Sequence, residues 1–186
     1  MGQDKAFLAF GGRTLLAHAL DRLQAATGNA WIVGSADKFA GLGPVVEDVY
    51  AACGPLGGIQ AALAATRTDP NLITAVDMPF LQLDFLTYLI AQARASEAVV
   101  VAPKADGRVQ PLCAIYRKDF GEIARRSLRA GNYKVGSLFA EVQTRIIEES
   151  ELEQNGFGKE MFRNLNTEQE WQQARRELSA GDHKHL

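Results

Sequence analysis

The residues of this chain that could do chemistry are few, and they fall where a strand or a turn would end. Asp77 closes the apolar run Leu72-Ile73-Thr74-Ala75-Val76 and is followed by Met78-Pro79-Phe80. Pro79 disfavours helical geometry at Met78, so the chain must turn away directly after the carboxylate and leave it at a sheet edge. A lone carboxylate there suits Mg²⁺, which takes one or two protein oxygens and fills its remaining positions with water and phosphate. The same side chain could instead cap the turn or the helix that follows. Asp48 ends a second apolar run, Pro44-Val45-Val46-Glu47, ahead of Cys53-Gly54-Pro55-Leu56-Gly57-Gly58-Ile59. These glycines let backbone approach a flat or anionic ligand where a helix N-terminus would present free amides, although a turn with tight helix packing uses the same residues. Lys5 precedes an apolar run and the turn Gly11-Gly12. An ammonium near a glycine-rich turn is a natural partner for phosphate, and a lysine is also an ordinary solvated surface residue.

The elements that must position these residues alternate between helical and strand periods, the pattern of an α/β fold with a mostly parallel sheet and covering helices. Leu16, Leu20 and Leu23 recur at helical spacing, with Thr14 placed to cap the start and Gly28 to end it. The stretch 30–35 reads as a short buried strand and 44–48 as another. The helix LGGIQAALAATR follows, and then the strand ending at Asp77. LDFLTYLIAQARA is helical and EAVVVAPK extended; RVQPLCAIY reads as a strand, FGEIARRSLRAG and VGSLFAEV as helices, and TRIIEE as a further strand. Thr167 and Glu170 form a capping box ahead of the last helix. In open sheets of this kind ligands bind beyond the carboxyl ends of the strands, where Asp48 and Asp77 both fall.

With 186 residues, 47% hydrophobic and 23% charged, the chain has the size and composition of one globular domain over 1–186. Its net charge of −2, with Lys and Arg scattered among nearly equal numbers of acids, gives no footprint for nucleic acid. No apolar run is long enough to span a bilayer and no export signal opens the chain, so a cytoplasmic protein is expected. Cys53 and Cys113 match no metal-ligand spacing and read as reduced thiols. The histidines of the terminal GDHKHL are given no chemistry, and neither a well-placed catalytic His nor a Ser, His and Asp set stands out.

Together these stretches resemble the nucleotidyltransferases of the molybdopterin guanylyltransferase type, the MobA family. That family opens with a strand, Leu-Ala-Gly-Gly, and Ser-x-Arg-Met-Gly-x-Asp-Lys ahead of an apolar run; Met1-Gly2-Gln3-Asp4-Lys5 matches the second half. The remaining landmarks follow in family order: Asp48, GPLGGI at 54–59, AVDMPF around Asp77, VQPLCAIY around Gln110 and Pro111, and NLNTEQE around Asn164 and Asn166. The resemblance implies a Rossmann-like three-layer fold of the nucleotide-diphospho-sugar transferase type. It also implies a chain lacking the first strand and glycine-rich loop of the family, and hence one expected to be poorly folded or inactive as written. The reaction implied is transfer of GMP from GTP to molybdopterin with release of pyrophosphate, in molybdenum cofactor biosynthesis. Lys5 and Asp77 become the implied catalytic pair; Lys5, Asp48, Gly54 and Asp77 the nucleotide contacts; Asp77 the ligand of Mg²⁺. Gln110, Lys134, Asn164 and Asn166 match positions near the pterin, although Asn166 could be a structural residue ahead of its helix. Val33-Gly34-Ser35 departs from the family, which often carries an Asn there. Other cofactor-biosynthesis proteins or molybdoenzyme chaperones are the implied partners. The alternatives are a cytidylyltransferase of the same pterin, a sugar-phosphate nucleotidyltransferase, and, in another class, a truncated non-catalytic nucleotide-binding or interaction module.

Overall fold

Two glycines with positive φ, Gly11 at 57° and Gly12 at 78°, fold the first apolar run back on itself. Both central positions of a type I′ turn need that geometry, so a tight hairpin joins β1 (Ala9–Phe10) to β2 (Arg13–Thr14). Helix α1 (Leu15–Thr27) starts where the Thr14 hydroxyl accepts from the amide of Ala17, and it stops at Gly28, left-handed at φ 81°. The expected caps at both ends of α1 are therefore present. The computed structural model describes residues 4–50, 52–165 and 167–181.

Beyond α1, β3 (Ile32–Val33) pairs in parallel with β4 (Val45–Val46). Then come α2 (Pro55–Ala65), β5 (Asn71–Thr74), α3 (Leu83–Arg94), β6 (Val100–Ala105), β7 (Arg108–Val109), β8 (Cys113–Tyr116) and α4 (Phe120–Arg129). A 3-10 turn (Val135–Glu141) leads to β9 (Thr144–Ile147) and α5 (Glu149–Gln154), and a second (Lys159–Phe162) precedes α6 (Glu168–Gly181). At the start of α6 the capping box forms in both directions: the Thr167 amide donates to Glu170 Oε2 at 2.8 Å and the Glu170 amide to Thr167 Oγ1 at 3.2 Å.

Five strands form one sheet in the order β5-β8-β6-β7, with β9 joined to β6. Side chains alternate across it, as the period of two requires. Val101, Ile115 and Ile147 pack with Phe85, Leu89 and Leu152 of α3 and α5. On the opposite face, Val100, Ala102, Ala114 and Tyr116 pack with Leu56, Ile59 and Leu63 of α2 and with Phe120 and Leu128 of α4. Phe85, Leu89, Tyr116 and Phe120 are wholly buried, each worth about 1.5–3 kcal/mol of hydrophobic stabilisation. The three-layer α/β arrangement is thus in place.

The ladder is more mixed than the strand rhythm alone indicates. β8 runs antiparallel between β5 and β6, while β6 and β9 are parallel. RVQPLCAIY is not one strand but two. Asp106 (φ 49°) and Gly107 (φ 71°) make a hairpin of β6 and β7, and the chain crosses at Gln110-Pro111 before returning as β8. VGSLFAEV is a 3-10 segment rather than an α-helix.

Among the described residues no hydrogen-bonded ladder joins the β3–β4 pair to the five-stranded sheet. Between β3 and β5 lies a cavity of about 1210 Å³, walled by apolar side chains that include Leu16, Leu20, Ile32, Ile59 and Ile73. The Ala75 amide donates to the carbonyl of Leu112 on the β8 side. By the alternation of an antiparallel ladder, Ile73 shares that direction, and the amides of Leu72 and Thr74 point into the cavity. On the other wall the amides of Ile32 and Gly34 bond toward β4, which leaves Val33 facing in. No helix among the described residues is long and apolar enough to cross a membrane.

Candidate active site

Asp77 lies in the turn three residues past Thr74, the last residue of β5, at the carboxyl end of the strand. Its Oδ2 accepts from Lys5 Nζ at 2.9 Å, with the side chains 20% and 32% exposed respectively. The pair therefore reaches solvent and could meet a ligand. Lys5 opens a 3-10 turn, Lys5–Phe7, capped by the Asp4 carboxylate, which accepts from the amide of Ala6 at 3.0 Å. Ala6 is buried, so the turn is seated and the lysine has a fixed origin. A hydrogen bond from Lys38 is the chief reason the Asp4 carboxyl titrates below its ordinary value.

The turn that carries Asp77 is held by distant parts of the chain. The Asp77 carbonyl accepts from the amide of Leu165 at 3.0 Å. The guanidinium of Arg22, on α1, donates to the carbonyl of Pro79 at 2.6 Å and to that of Met78 at 3.3 Å. Arg163 lies over the Phe80 ring at 4.4 Å. The Leu165 contact also brings Asn164 beside the turn, and Asn164 Oδ1 is buried without a hydrogen-bond partner. Such an acceptor calls for a ligand or a water. Asn166 lies outside the described residues.

Asp48 joins a second group of predicted residues. Its Oδ1 accepts from the Tyr50 amide at 2.8 Å, and its carboxylate lies against the first turn of α2. A Cβ added at Gly57 would meet Asp48 Oδ2 at 2.8 Å and the Tyr50 carbonyl at 3.0 Å, so only glycine permits this approach. Gly54 is the N-cap of α2, with φ 64° and no side chain to occupy the free amides behind it. Asp48 and Gly54 both line the large cavity.

Gln110 and Lys134 are not brought into this constellation. The Gln110 amide side chain donates to the carbonyls of Ala105 at 3.3 Å and Arg108 at 3.2 Å, which ties it into the β6–β7 hairpin. Lys134 is exposed at the start of the 3-10 segment. Among the described residues, no hydrogen bond or ion pair joins either of them, or Asp48, to Asp77. Reasoning from the sequence missed Arg22 and Arg163. Arginines on amphipathic helices and loops look like solvent-facing charges, and no local pattern marks them as donors to a remote turn.

No cluster of three or more His, Cys, Asp or Glu side chains able to hold a metal ion occurs among the described residues. A metal here would rely on Asp77 with oxygens from water and substrate, the donor set Mg²⁺ takes in phosphate chemistry. The Lys5 ammonium at 2.9 Å shows that the carboxylate can seat a cation, so the residues fit such an ion.

Residues 1–146 match the family model described as a MobA-like NTP transferase domain. A protein of Carboxydothermus hydrogenoformans named "Probable molybdenum cofactor guanylyltransferase" is 30% identical over 168 residues, 90% of this chain and 84% of its own. The molybdenum cofactor guanylyltransferase of Desulfosudis oleivorans is 28% identical over 97% of this chain and 90% of its own. Among solved structures, the molybdopterin-guanine dinucleotide biosynthesis protein A of Archaeoglobus fulgidus superposes with a TM-score of 0.83 at 21% identity, covering 96% of this chain and 92% of that one. The 2-C-methyl-D-erythritol 4-phosphate cytidylyltransferase of Thermus thermophilus gives 0.71 at 19% identity, with 94% of each chain covered. These structures share the nucleotidyltransferase fold.

Proposed function

The chain belongs to the MobA-like NTP transferase family, and from that premise we propose that it transfers GMP from GTP to molybdopterin. In this reaction an oxygen of the terminal phosphate of the pterin bonds to the α-phosphorus of GTP, the bond from that phosphorus to the bridging oxygen breaks, and pyrophosphate leaves. The observation that carries the reading is the ion pair of Lys5 and Asp77, at the carboxyl end of β5 and open to solvent.

The nucleophile needs no protein base, because a phosphate monoester is largely ionised at neutral pH, its second pKa being about 6. What remains for the protein is positioning and charge neutralisation. Lys5 exchanges Asp77 for a phosphate oxygen and offsets negative charge at the α-phosphate or the leaving pyrophosphate. Asp77, so released, would hold Mg²⁺, which would supply neutralisation of the charge on the phosphate oxygens. Asp48 can accept from the N2 amino group that guanine carries, and the open first turn of α2 lets the nucleotide approach main chain. Beside the Asp77 turn, Asn164, whose buried Oδ1 has no hydrogen-bond partner, is the candidate contact to the second substrate.

The test is pyrophosphate release with molybdopterin present, GTP and CTP competing, in the native chain and in Asp77→Ala. Turnover with GTP that vanishes in D77A, the fold being retained by circular dichroism, supports the reading. Preference for CTP moves the base assignment to the cytidylyl alternative, for which the Thermus likeness supplies the fold. Near-native turnover in D77A removes Asp77 from the mechanism. Nucleotide binding with no pyrophosphate release would support a non-catalytic binding module.

A further inference from the structure

Arg22 is a half-buried cation without a carboxylate partner: among the described residues no ion pair involves it, and its hydrogen bonds go to main-chain carbonyls. Burial draws its pKa below the ordinary guanidinium value, opposed by the charge of Asp21. A charge held out of water has to recover its hydration elsewhere, and here the carbonyls of Met78 and Pro79 supply that. Met78 is 3% exposed, so its carbonyl has little access to water in return.

Those two carbonyls belong to the residues directly after Asp77, in the turn whose backbone carries the Asp77 side chain. Two donors of one planar fork on successive carbonyls fix two consecutive peptide planes in a way that a single ammonium cannot. Arg22 also lies on α1, which follows directly from the Lys5 turn and the β1–β2 hairpin, and the Leu15 amide bonds back to the Leu8 carbonyl at 3.0 Å. One N-terminal unit therefore supplies both the ammonium that meets the Asp77 carboxylate and the guanidinium that fixes its backbone. We infer that Arg22 is a positioning residue for the Asp77 carboxylate proposed to hold the metal: its bidentate contact with the Met78 and Pro79 carbonyls sets the geometry between Lys5 and Asp77. The inference rests on the function proposed for Asp77 and adds a residue to it.

A matched control exists in the same chain. Arg117 donates in the same manner to the carbonyls of Ala98 at 3.1 Å and Ser96 at 2.8 Å, on the loop before β6. Loss of that fork should loosen the fold without touching the site. The experiment compares Arg22→Lys, Arg117→Lys and Asp77→Asn by calorimetric titration of Mn²⁺ into each chain saturated with a non-hydrolysable GTP analogue, with thermal unfolding in parallel. The expected result is Mn²⁺ affinity lowered about tenfold in R22K, the scale of one to two lost hydrogen bonds to a charged group, and unchanged within twofold in R117K. D77N should abolish the site. Loss in D77N with R22K within twofold of native overturns this inference alone. Equal loss in R22K and R117K also overturns it, because the effect is then general loosening. Affinity unchanged in D77N overturns the reading of Asp77 and this inference with it.

Discussion

Replacing Lys5 by Gln should change two affinities in opposite directions. In the ligand-free chain the ammonium occupies the Asp77 carboxylate at 2.9 Å, so a metal ion arriving alone must displace it. At such a separation an effective dielectric of about 20 would allow several kcal/mol of Coulomb attraction. The side chains are 32% and 20% exposed, however, and solvent-reaching pairs are measured at no more than about 1 kcal/mol. The smaller figure should govern, and it corresponds to roughly fivefold tighter Mn²⁺ binding by K5Q in the absence of nucleotide. On the proposed reading, Lys5 should serve the phosphates instead when a GTP analogue is present. Its loss removes a charge-assisted hydrogen bond of about 1.5–3 kcal/mol, so analogue affinity should fall by roughly ten- to a hundredfold. Calorimetric titration of Mn²⁺ alone, then of the Mg²⁺ complex of the analogue, measures both. The gain for metal alone should shrink at high salt, as screening of a solvent-reaching pair requires. If K5Q lowers both affinities, or leaves that for Mn²⁺ alone unchanged at low salt, Lys5 does not hold the metal position and the exchange described above is wrong.

Further outcomes follow from the packing. Gly57→Ala would press a Cβ to 2.8 Å from Asp48 Oδ2 and 3.0 Å from the Tyr50 carbonyl, so unfolding stability should drop by about 1–3 kcal/mol and nucleotide binding should weaken with it. Gly58→Ala, one residue on, meets only Val33 Cγ1 at 3.6 Å and should gain about 0.5–1 kcal/mol of helix stability; paired denaturant titrations compare the two, and equal responses would contradict the contact at Asp48. Hydrogen exchange should be fast at Leu72 and Thr74, whose amides face the cavity, and slow at Ile73 and Ala75, and four equally protected amides would mean that the β5 edge is paired. Burial pushes the Cys113 thiol up to about 12, whereas an unfolded thiol ionises near pH 8.5. Below that pH both states are protonated and the thiol's contribution is fully present; above it the unfolded state releases the proton first, so stability falls as pH rises toward 12, and in Cys113→Ala this alkaline loss should be smaller. A disulfide reagent at neutral pH should accordingly label Cys53, which is only half-buried, well before Cys113.

How much of this was legible in the sequence depends on whether the controlling interaction is local. Helix α1 could be placed by its leucine spacing, Thr14 and Gly28, because caps act within one turn, and the capping box of α6 forms as Thr167 and Glu170 indicate. The β6–β7 hairpin was also encoded locally, in Asp106-Gly107, the type I′ pair; it was overlooked because the apolar run RVQPLCAIY masks the crossing at Pro111. Helix α5 is short and strongly acidic in its first turn, and its single buried residue, Leu152, gives no period to read. Reversal of β8 between β5 and β6 is a tertiary choice that no window of sequence contains. At the site, Lys5 and Asp77 could be named together only through family resemblance, since 72 positions separate them.

The Asp77 turn shows why a carboxylate is easier to find in a sequence than the residues that hold it. Pro79 gives the turn its shape and has no amide to donate, and apart from a long contact from the Leu81 amide to Met78 at 3.5 Å the carbonyls of Asp77, Met78 and Pro79 find their donors elsewhere. Buried carbonyls are rarely left unmet, and the donors come from Leu165 near the end of the chain and from Arg22 near its start. The proline that announces the site thereby makes it dependent on segments far away in sequence. A perturbation at either segment should reach Asp77 through its backbone while leaving its side chain chemically intact. On the proposed reading, damage of that kind should lower metal affinity in proportion to lost geometry, whereas Asp77→Asn removes the charge itself.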